Sequence, residues 1–438
     1  MTVQLVRTKA EDALVEQFTG VESRLPGDAS TRKLRKAAIG AFAATGLPHR
    51  RIEEWKYTDL RNMLKSVPAP AASGAARLDR GAVDAALGPL AAIDAYRLVF
   101  VDGVFAEQLS DRERLPAGAH FQALAEALGR DADWLVDLMT DERGRSRPVL
   151  DLTTAFMTDG VTLRVSASLD KPILLAFVRA GGEAGAVSVR NFLRFEPGVA
   201  ATLIEAYVRA DGSADEHQTR TASAVHVGAG ASVAHVKTAV DGGVHLANLA
   251  ARLDGEAVYR PFQLTVGGQL ARNDIEVVYA GEGGSIDLAG ATLLKDRQHC
   301  DTTLVVDHAV PQCQSRELFK YVLADEARGI FQGKVIVRPD AQKTDGKQMA
   351  QALMLSEAAE FDSKPELEIY ADDVVCGHGA TVAEIDEEML FYCQSRGIPA
   401  AEARALLTES FVGEAIAKIE DEALRDSLMD MARGWLRG

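Results

Sequence analysis

FEPGVAATLIEAY, residues 195–207, closes one strand, turns at Pro197-Gly198 and opens another. The same order of parts returns in VGAGASVAHVK (227–237), RLDGEAVYRPFQ (252–263) and YAGEGGSIDLAG (279–290). Each is a strand end, a glycine turn, a small residue and a new strand. The turns recur roughly every 25 to 32 residues, a spacing found in solenoids. Coils of that length stacked in register make a β-helix, whose inward side chains form one continuous apolar core. A β-sandwich has similar turn spacing, so periodicity leaves it open as the second reading.

The same texture continues on both sides. From about residue 150 to 382, short segments such as VTLRV, ILLAFVRA, VSVRNFLRFE, TTLVVDHAV and GKVIVRP follow one another, and no long helix fits between them. Parallel β-α-β crossovers need such helices, so that class reads poorly. Residues 1–149 are expected to be mostly helical with a small hairpin. Leu5, Ala13, Leu14 and Phe18 recur at helical spacing, as do Leu34, Ala37, Ala38, Ala41 and Phe42, ending at Gly46-Leu47-Pro48. EEWKYTDL (53–60) follows, with Trp55 and Tyr57 read as core anchors. PAPAASGAA (68–76) is a linker by composition, and YRLVFVDGVF (96–105) predicts a hairpin around Asp102-Gly103. Phe121, Leu124, Leu128, Trp134, Leu135 and Leu138 predict helix over 120–140.

Residues 383–438 read as a C-terminal helical domain. Met389, Leu390 and Cys393 form one stripe, and Arg396–Pro399 stops one helix and restarts another. Ala403, Leu406, Leu407, Phe411, Ala415, Ile416 and Ile419 form a second stripe, and Leu424, Leu428, Met431 and Trp435 a third. Such a cap can pack on the solenoid end or serve as a docking surface, and packing is the first expectation.

The 438 residues are 47% hydrophobic and 26% charged, as in an ordinary globular protein of two or three domains. A net charge of −16 argues against a dedicated nucleic-acid or anionic-membrane surface. Cys300, Cys313, Cys376 and Cys393 form no C-x-x-C pair, and so few thiols are expected to be reduced. The start, MTVQLVRTKAEDALVEQF, carries charges throughout and does not read as a signal peptide. No apolar run approaches the ~20 residues of a membrane span, so a soluble cytoplasmic protein is expected.

Enzyme signatures are missing. GIFQGKV (329–335) lacks P-loop spacing, and Val335 offers no hydroxyl for magnesium, so it reads as a turn between strands. There is no G-x-S-x-G elbow, H-E-x-x-H helix or Rossmann fingerprint. His299 and Cys300 are adjacent and point to opposite faces of a strand; His308 and Cys313 flank a turn at Pro311. All four read as packing or surface residues, and Cys393 as a buried small hydrophobe.

SKPELEIYADDVVCGHGAT (363–381) holds the best pair. Leu367, Ile369 and Ala371 alternate with Glu366, Glu368 and Tyr370, the pattern of a half-buried strand, and a second strand follows a break at Asp372-Asp373. Cys376 and His378 lie two apart in that second strand, so thiol and imidazole share a face. Iron–sulfur clusters generally take four ligands, so a cluster bound here needs the rest from another chain.

Here a resemblance enters. The run from Arg316 to Val382, which contains FQGKVIVRPDAQKTDGKQMAQALMLSEAAEFD and DDVVCGHGAT, closely resembles the SufD family of subunits of the SUF iron–sulfur cluster assembly scaffold. EEWKYTDL resembles that family's N-terminal signature, and QSRGIPAAEARALLTESFVGEAI (394–416) its C-terminal helical region. The resemblance implies a mainly β fold: a right-handed parallel β-helix core (150–382) flanked by N-terminal (1–149) and C-terminal (383–438) helical regions. It implies a non-catalytic subunit that pairs with SufB through the β-helix and with the ABC-type ATPase SufC through the C-terminal helices. ATP hydrolysis then belongs to SufC, in keeping with the missing P-loop. His378 matches the family histidine at the SufB interface, implicated in cluster assembly, and Cys376 the neighbouring cysteine; both are candidate metal ligands. Leu406, Leu407, Phe411 and Ile416 are the candidates for SufC binding. No cofactor is expected to stay on this chain alone; a transient Fe–S cluster forms at the SufB interface, and a flavin is a further group to look for in the complex. The paralogous SufB subunit shares the core architecture. The rival from another class is a β-helical polysaccharide-active enzyme, which predicts a groove lined with carboxylates and exposed aromatics. A third reading is a self-pairing structural homodimer.

Overall fold

The computed structural model describes residues 7–72, 78–129, 135, 139, 147–212, 216–240 and 242–437. Its centre is a parallel β-solenoid of about seven turns, and the chain is mainly β, with 40% strand and 29% helix. From Asp159–Val165 to Val375–Ala383 successive strands alternate between a nine-stranded and a ten-stranded sheet. Between the two ends, each pairs in parallel with the strands two before and two after it. The sandwich reading is thereby set aside.

Register follows from the inward residues. Leu193, Val225, Ala251, Val277, Val306, Val335 and Leu367 face one another on seven consecutive strands of the nine-stranded sheet. A slip of one residue turns this whole column outward, so its burial fixes the pairing. The turns repeat as well. Gly198, Gly230 and Gly283 have positive φ, and so do Glu256, Gln312 and Lys343 at the corresponding turns. The N–H of each of the six bonds to a carbonyl in the next coil's turn, from Gly198 to Ala229 through Lys343 to Asp373.

The N-terminal end is closed. Asp102 and Gly103, both with positive φ, make the two-residue turn of the expected hairpin. The hairpin is also part of the solenoid, because Tyr96–Val101 pairs in parallel with Ile173–Arg179. Strand Ala119–Ala123 covers the nine-stranded sheet antiparallel to Asp159–Val165. This corrects the start of the helix expected over 120–140. Phe121 lies on that strand, helix is described at Leu124–Ala127 and again at Leu135 and Met139, and Trp134 and Leu138 lie outside the described residues, as does Leu5. The pairing offered by the first coil outweighs local helical spacing.

Helices Lys9–Val21 and Ala29–Thr45 form as expected, the first with a Thr8/Glu11 capping box and the second capped by Asp28. They bury Leu14, Phe18 and Phe42, together with Trp55 of the following turn, against Val244, Leu246 and Leu270 of the nine-stranded sheet. The C-terminal helices Glu387–Ser395, Ala400–Ile416 and Glu422–Arg437 form too. The last two lie on the flank of the ten-stranded sheet, where Val412, Ile416 and Leu428 pack with Phe262, Ala289 and Val322. No helix among the described residues is long and apolar enough to cross a membrane.

Candidate functional site

The C-terminal end of the solenoid is open. Glu360–Ile369 and Val375–Ala383 are the last strands of their sheets, each paired on one side only. The chain breaks between them at Asp372-Asp373, as expected. In the last strand Cys376 stands against Gly346 and His378 against Gln348. Ala380 follows against the fully buried Ala350, so this alternate set faces the solenoid interior. Cys376 is half-buried against Val335, Val337, Ala341 and Ala371, whereas His378 is exposed because no further coil covers it. A Cβ on Gly377, directed to the opposite face of the strand, would meet nothing within 4 Å.

Burial pushes the Cys376 thiol above its ordinary range; the Gly346 backbone N–H pulls it down, and the carboxylates of Asp345 and Glu317 push it up again. A thiol must lose its proton to bind metal, so this environment favours the protonated, non-ligating form of Cys376 while no cation is near.

The other sulfur and imidazole groups lie elsewhere. Cys300 faces the core, where burial and then Asp301 push its thiol up to about 12. Its neighbour His299 points outward to the Thr58 hydroxyl at 2.9 Å, the opposite-face arrangement expected. Cys313 is buried beside the Pro311 carbonyl. Cys393 is half-buried on its helix. Among the described residues no three His, Cys, Asp or Glu side chains form a group able to hold a metal ion. Two such groups fall short of the four ligands that an iron–sulfur cluster generally takes.

Of the C-terminal candidates, Leu406 is exposed, Leu407 packs beside Leu353 and Ile385, and Phe411 is half-buried under the Lys320 ammonium at 4.3 Å. Ile416 is fully buried against the sheet, so a partner cannot reach its side chain while the fold stands. Met389, expected on a buried stripe, is 53% exposed, because the short helix turns only Leu390 inward. Phe391 at 71% and Tyr392 at 55% exposure were missed in the sequence. Their signal was two adjacent aromatics off the Leu390/Cys393 stripe. Ile369, Tyr370, Val375 and Val382 add exposed apolar surface at the open end.

GIFQGKV is not a turn: Arg328–Val337 is one strand. Its glycines serve close approach rather than bending. A Cβ on Gly333 would fall inside van der Waals contact of the Gln348 amide, and one on Gly329 would lie 2.8 Å from the Tyr321 ring. EEWKYTDL is a clamp. Trp55 is buried under the Arg272 guanidinium at 4.2 Å, Arg272 and Gln332 donate to the Glu54 carbonyl, and Thr58 donates to Asp301.

Comparison with known proteins places this architecture. Residues 177–411 match the SufBD core domain of SUF system FeS cluster assembly, and residues 28–175 match the SufBD protein N-terminal region. The chain belongs to the SufBD family of iron–sulfur cluster assembly proteins. Within it the chain is of SufD type. It is 31% identical over 392 residues to the iron–sulfur cluster assembly protein SufD of Escherichia coli, covering 88% of each chain. An iron–sulfur cluster assembly SufBD family protein of Synechocystis is 30% identical over 407 residues, 90% of this chain and 88% of that one. The chloroplastic protein ABCI7 of Arabidopsis thaliana is 26% identical over 427 residues, 92% of this chain and 86% of its own.

Proposed function

We propose that this chain is a non-catalytic scaffold subunit on which iron–sulfur clusters are built and from which they are passed on, acting in the cytoplasm. The observation that carries the reading is the open coil. It presents Cys376 and His378, an incomplete metal-ligand set, beside two long strands with free edges. An unpaired edge is a template for another strand. A SufB-type paralogue built on the same solenoid is the partner that continues both sheets and supplies the missing ligands. A neutral imidazole and a thiolate both suit iron. A cluster shared between two chains is held loosely enough to leave, as a scaffold requires. The exposed Met389, Phe391, Tyr392 and Leu406 then form the face that meets the SufC-type ATPase. Isolated from its partners, the chain has the same edges to offer a second copy of itself.

The test is made on the chain co-expressed with SufB-like and SufC-like partners and isolated without oxygen. Native mass is expected to show all three together, and His378→Ala inside that complex is expected to abolish the cluster's visible absorption while leaving the complex intact. Full cluster formation in the variant would sink the ligand assignment. A free monomer or homodimer alongside folded partners would sink the scaffold reading.

A further inference from the structure

Behind the Cys376/His378 pair the interior is polar. In the ten-stranded sheet Glu317, Gln348 and His378 occupy one register position on three neighbouring strands. At about 4.8 Å per strand, Glu317 sits roughly 10 Å below His378 with Gln348 between them. Glu317 is 3% and Gln348 2% exposed. No hydrogen bond of normal geometry reaches either carboxylate oxygen of Glu317 or either amide atom of Gln348. His308, fully buried, bonds the Ser315 hydroxyl through Nε2 at 3.1 Å and leaves Nδ1 without a partner.

The same solenoid shows how it treats a buried carboxylate that has no further task. Glu205, 1% exposed on the same sheet, receives the Tyr207 hydroxyl at 2.7 Å, the Ser223 hydroxyl at 3.0 Å and His235 Nε2 at 3.1 Å. Burial pushes Glu205 up, but His235 and Tyr207 outweigh it and hold the carboxyl at about 2. Glu317 has no such set; burial pushes it up to about 8, with Ser315 and Arg316 offsetting only part. A buried polar group without a partner costs about 1–3 kcal/mol, more when charged, and points to an ion or water that completes it. A Cβ on Gly346 would lie 3.3 Å from Ser315 Oγ, 3.5 Å from Val335 Cγ1 and 3.6 Å from Cys376 Sγ, so the bare glycine lets these side chains close in between the mouth and the interior.

We infer that Glu317 and Gln348 form an inner holding site for a divalent, oxygen-accepting cation, one coil behind the Cys376/His378 pair. The carboxylate offsets one of the cation's two charges and the amide oxygen adds a second donor. The naming of that cation as ferrous iron, the cargo, rests on the reading of Cys376 and His378 as the cluster pair. With fewer than three His, Cys, Asp or Glu ligands, the site is weak, as suits a metal that must move on to the mouth.

The test is anaerobic equilibrium dialysis of the full chain against ferrous ion alone. The Cys376→Ser/His378→Ala double variant removes the mouth and is expected to retain one weakly bound iron. Adding Glu317→Gln, which keeps the shape of the side chain, is expected to weaken that iron at least tenfold. Gln348→Met is the second variant and is expected to weaken it severalfold; thermal midpoints confirm that each chain is folded. Retention of the iron by folded Glu317→Gln, or loss of all iron in the double variant, overturns the inference. The two readings fail separately: cluster formation by His378→Ala in the complex refutes the scaffold site and leaves this titration unaffected.

Discussion

Replacing Arg272 by Met is expected to release the N-terminal clamp from the solenoid. Arg272 is 1% exposed, stacks on Trp55, and bonds Asp274 through Nε at 2.9 Å and the Glu54 carbonyl at 2.9 Å. It also pairs with the fully buried Asp301. Met conserves most of the volume but leaves Asp301 as a buried charge, a change that costs about 3–5 kcal/mol. Thr58 and Gln332 still bond Asp301, which places the expectation near the lower end, about 3 kcal/mol. That is a factor on the order of 100 in the local opening equilibrium. Hydrogen exchange reads it directly: amides of residues 53–64 are expected to exchange on the order of 100-fold faster, while those of Val375–Ala383, at the open end, stay unchanged. Arg272→Met/Asp301→Leu removes both charges and is expected to recover about 2 kcal/mol of the loss, because coupled neighbours are not additive. Exchange in Arg272→Met that rises less than fivefold would refute the claim that this pair holds the clamp. A double variant as damaged as the sum of the singles would refute the burial argument behind it.

Two further predictions concern pH and the C-terminal helices. Burial, then the charges of Arg328 and Arg272, push His299 down to about 4, below the ordinary 6.5 it regains on unfolding. Between those values the unfolded chain binds more protons, so stability falls as pH drops from 6.5 to 4, by about 3 kcal/mol from this residue; His299→Gln is expected to flatten the curve of thermal midpoint against pH there, and an unchanged slope would contradict the burial account. Phe391→Asp, at an exposed position, is expected to change stability by no more than about 0.5 kcal/mol while releasing the ATPase partner, whereas Ile416→Asp, in the core, is expected to unfold the C-terminal helices; partner capture and thermal melts on both variants separate docking from packing.

Much of the fold was readable because a solenoid writes its turns into the sequence, and the rest was hidden for a backbone reason. The four quoted segments end at Gly290, yet the turn ladder runs on to Lys343 and Asp373. Gln312 and Lys343 take the left-handed conformation that Gly198, Gly230 and Gly283 supply elsewhere. Turn-to-turn hydrogen bonds offset the strain, so the structural repeat outlasts the glycine repeat. That Cys376 and His378 share one face was legible from strand alternation alone. Glu317 and Gln348 were not, because strand pairing across residues about 30 apart places them beneath His378, and a period-2 reading of one strand is blind to the next. Gly333 was misread for a related reason: its partner, the Gln348 side chain, comes from the opposite sheet.

The two ends of the solenoid put the same architecture to opposite uses. At the N-terminal end Phe100, Phe177 and Tyr207 stack down the interior with ring centroids 4.9 and 4.7 Å apart, and antiparallel strands close both sheets. At the C-terminal end the corresponding column carries Ala352 and Val382 in place of rings, and beyond the Phe319, Ala350 and Ala380 column a further one carries Glu317, Gln348 and His378. The column of Ala352 and Val382 forgoes stacking worth about 0.5–1.5 kcal/mol per ring pair, although Tyr321 and Phe361 still pair at 4.9 Å beside it, and the polar column leaves buried atoms unpaired. A chain that only needed to fold has no reason to weaken one end in this way. The closed end supplies stability while the open end keeps unpaired edges and a polar interior, the features that the proposed scaffold role assigns to a partner and its cargo.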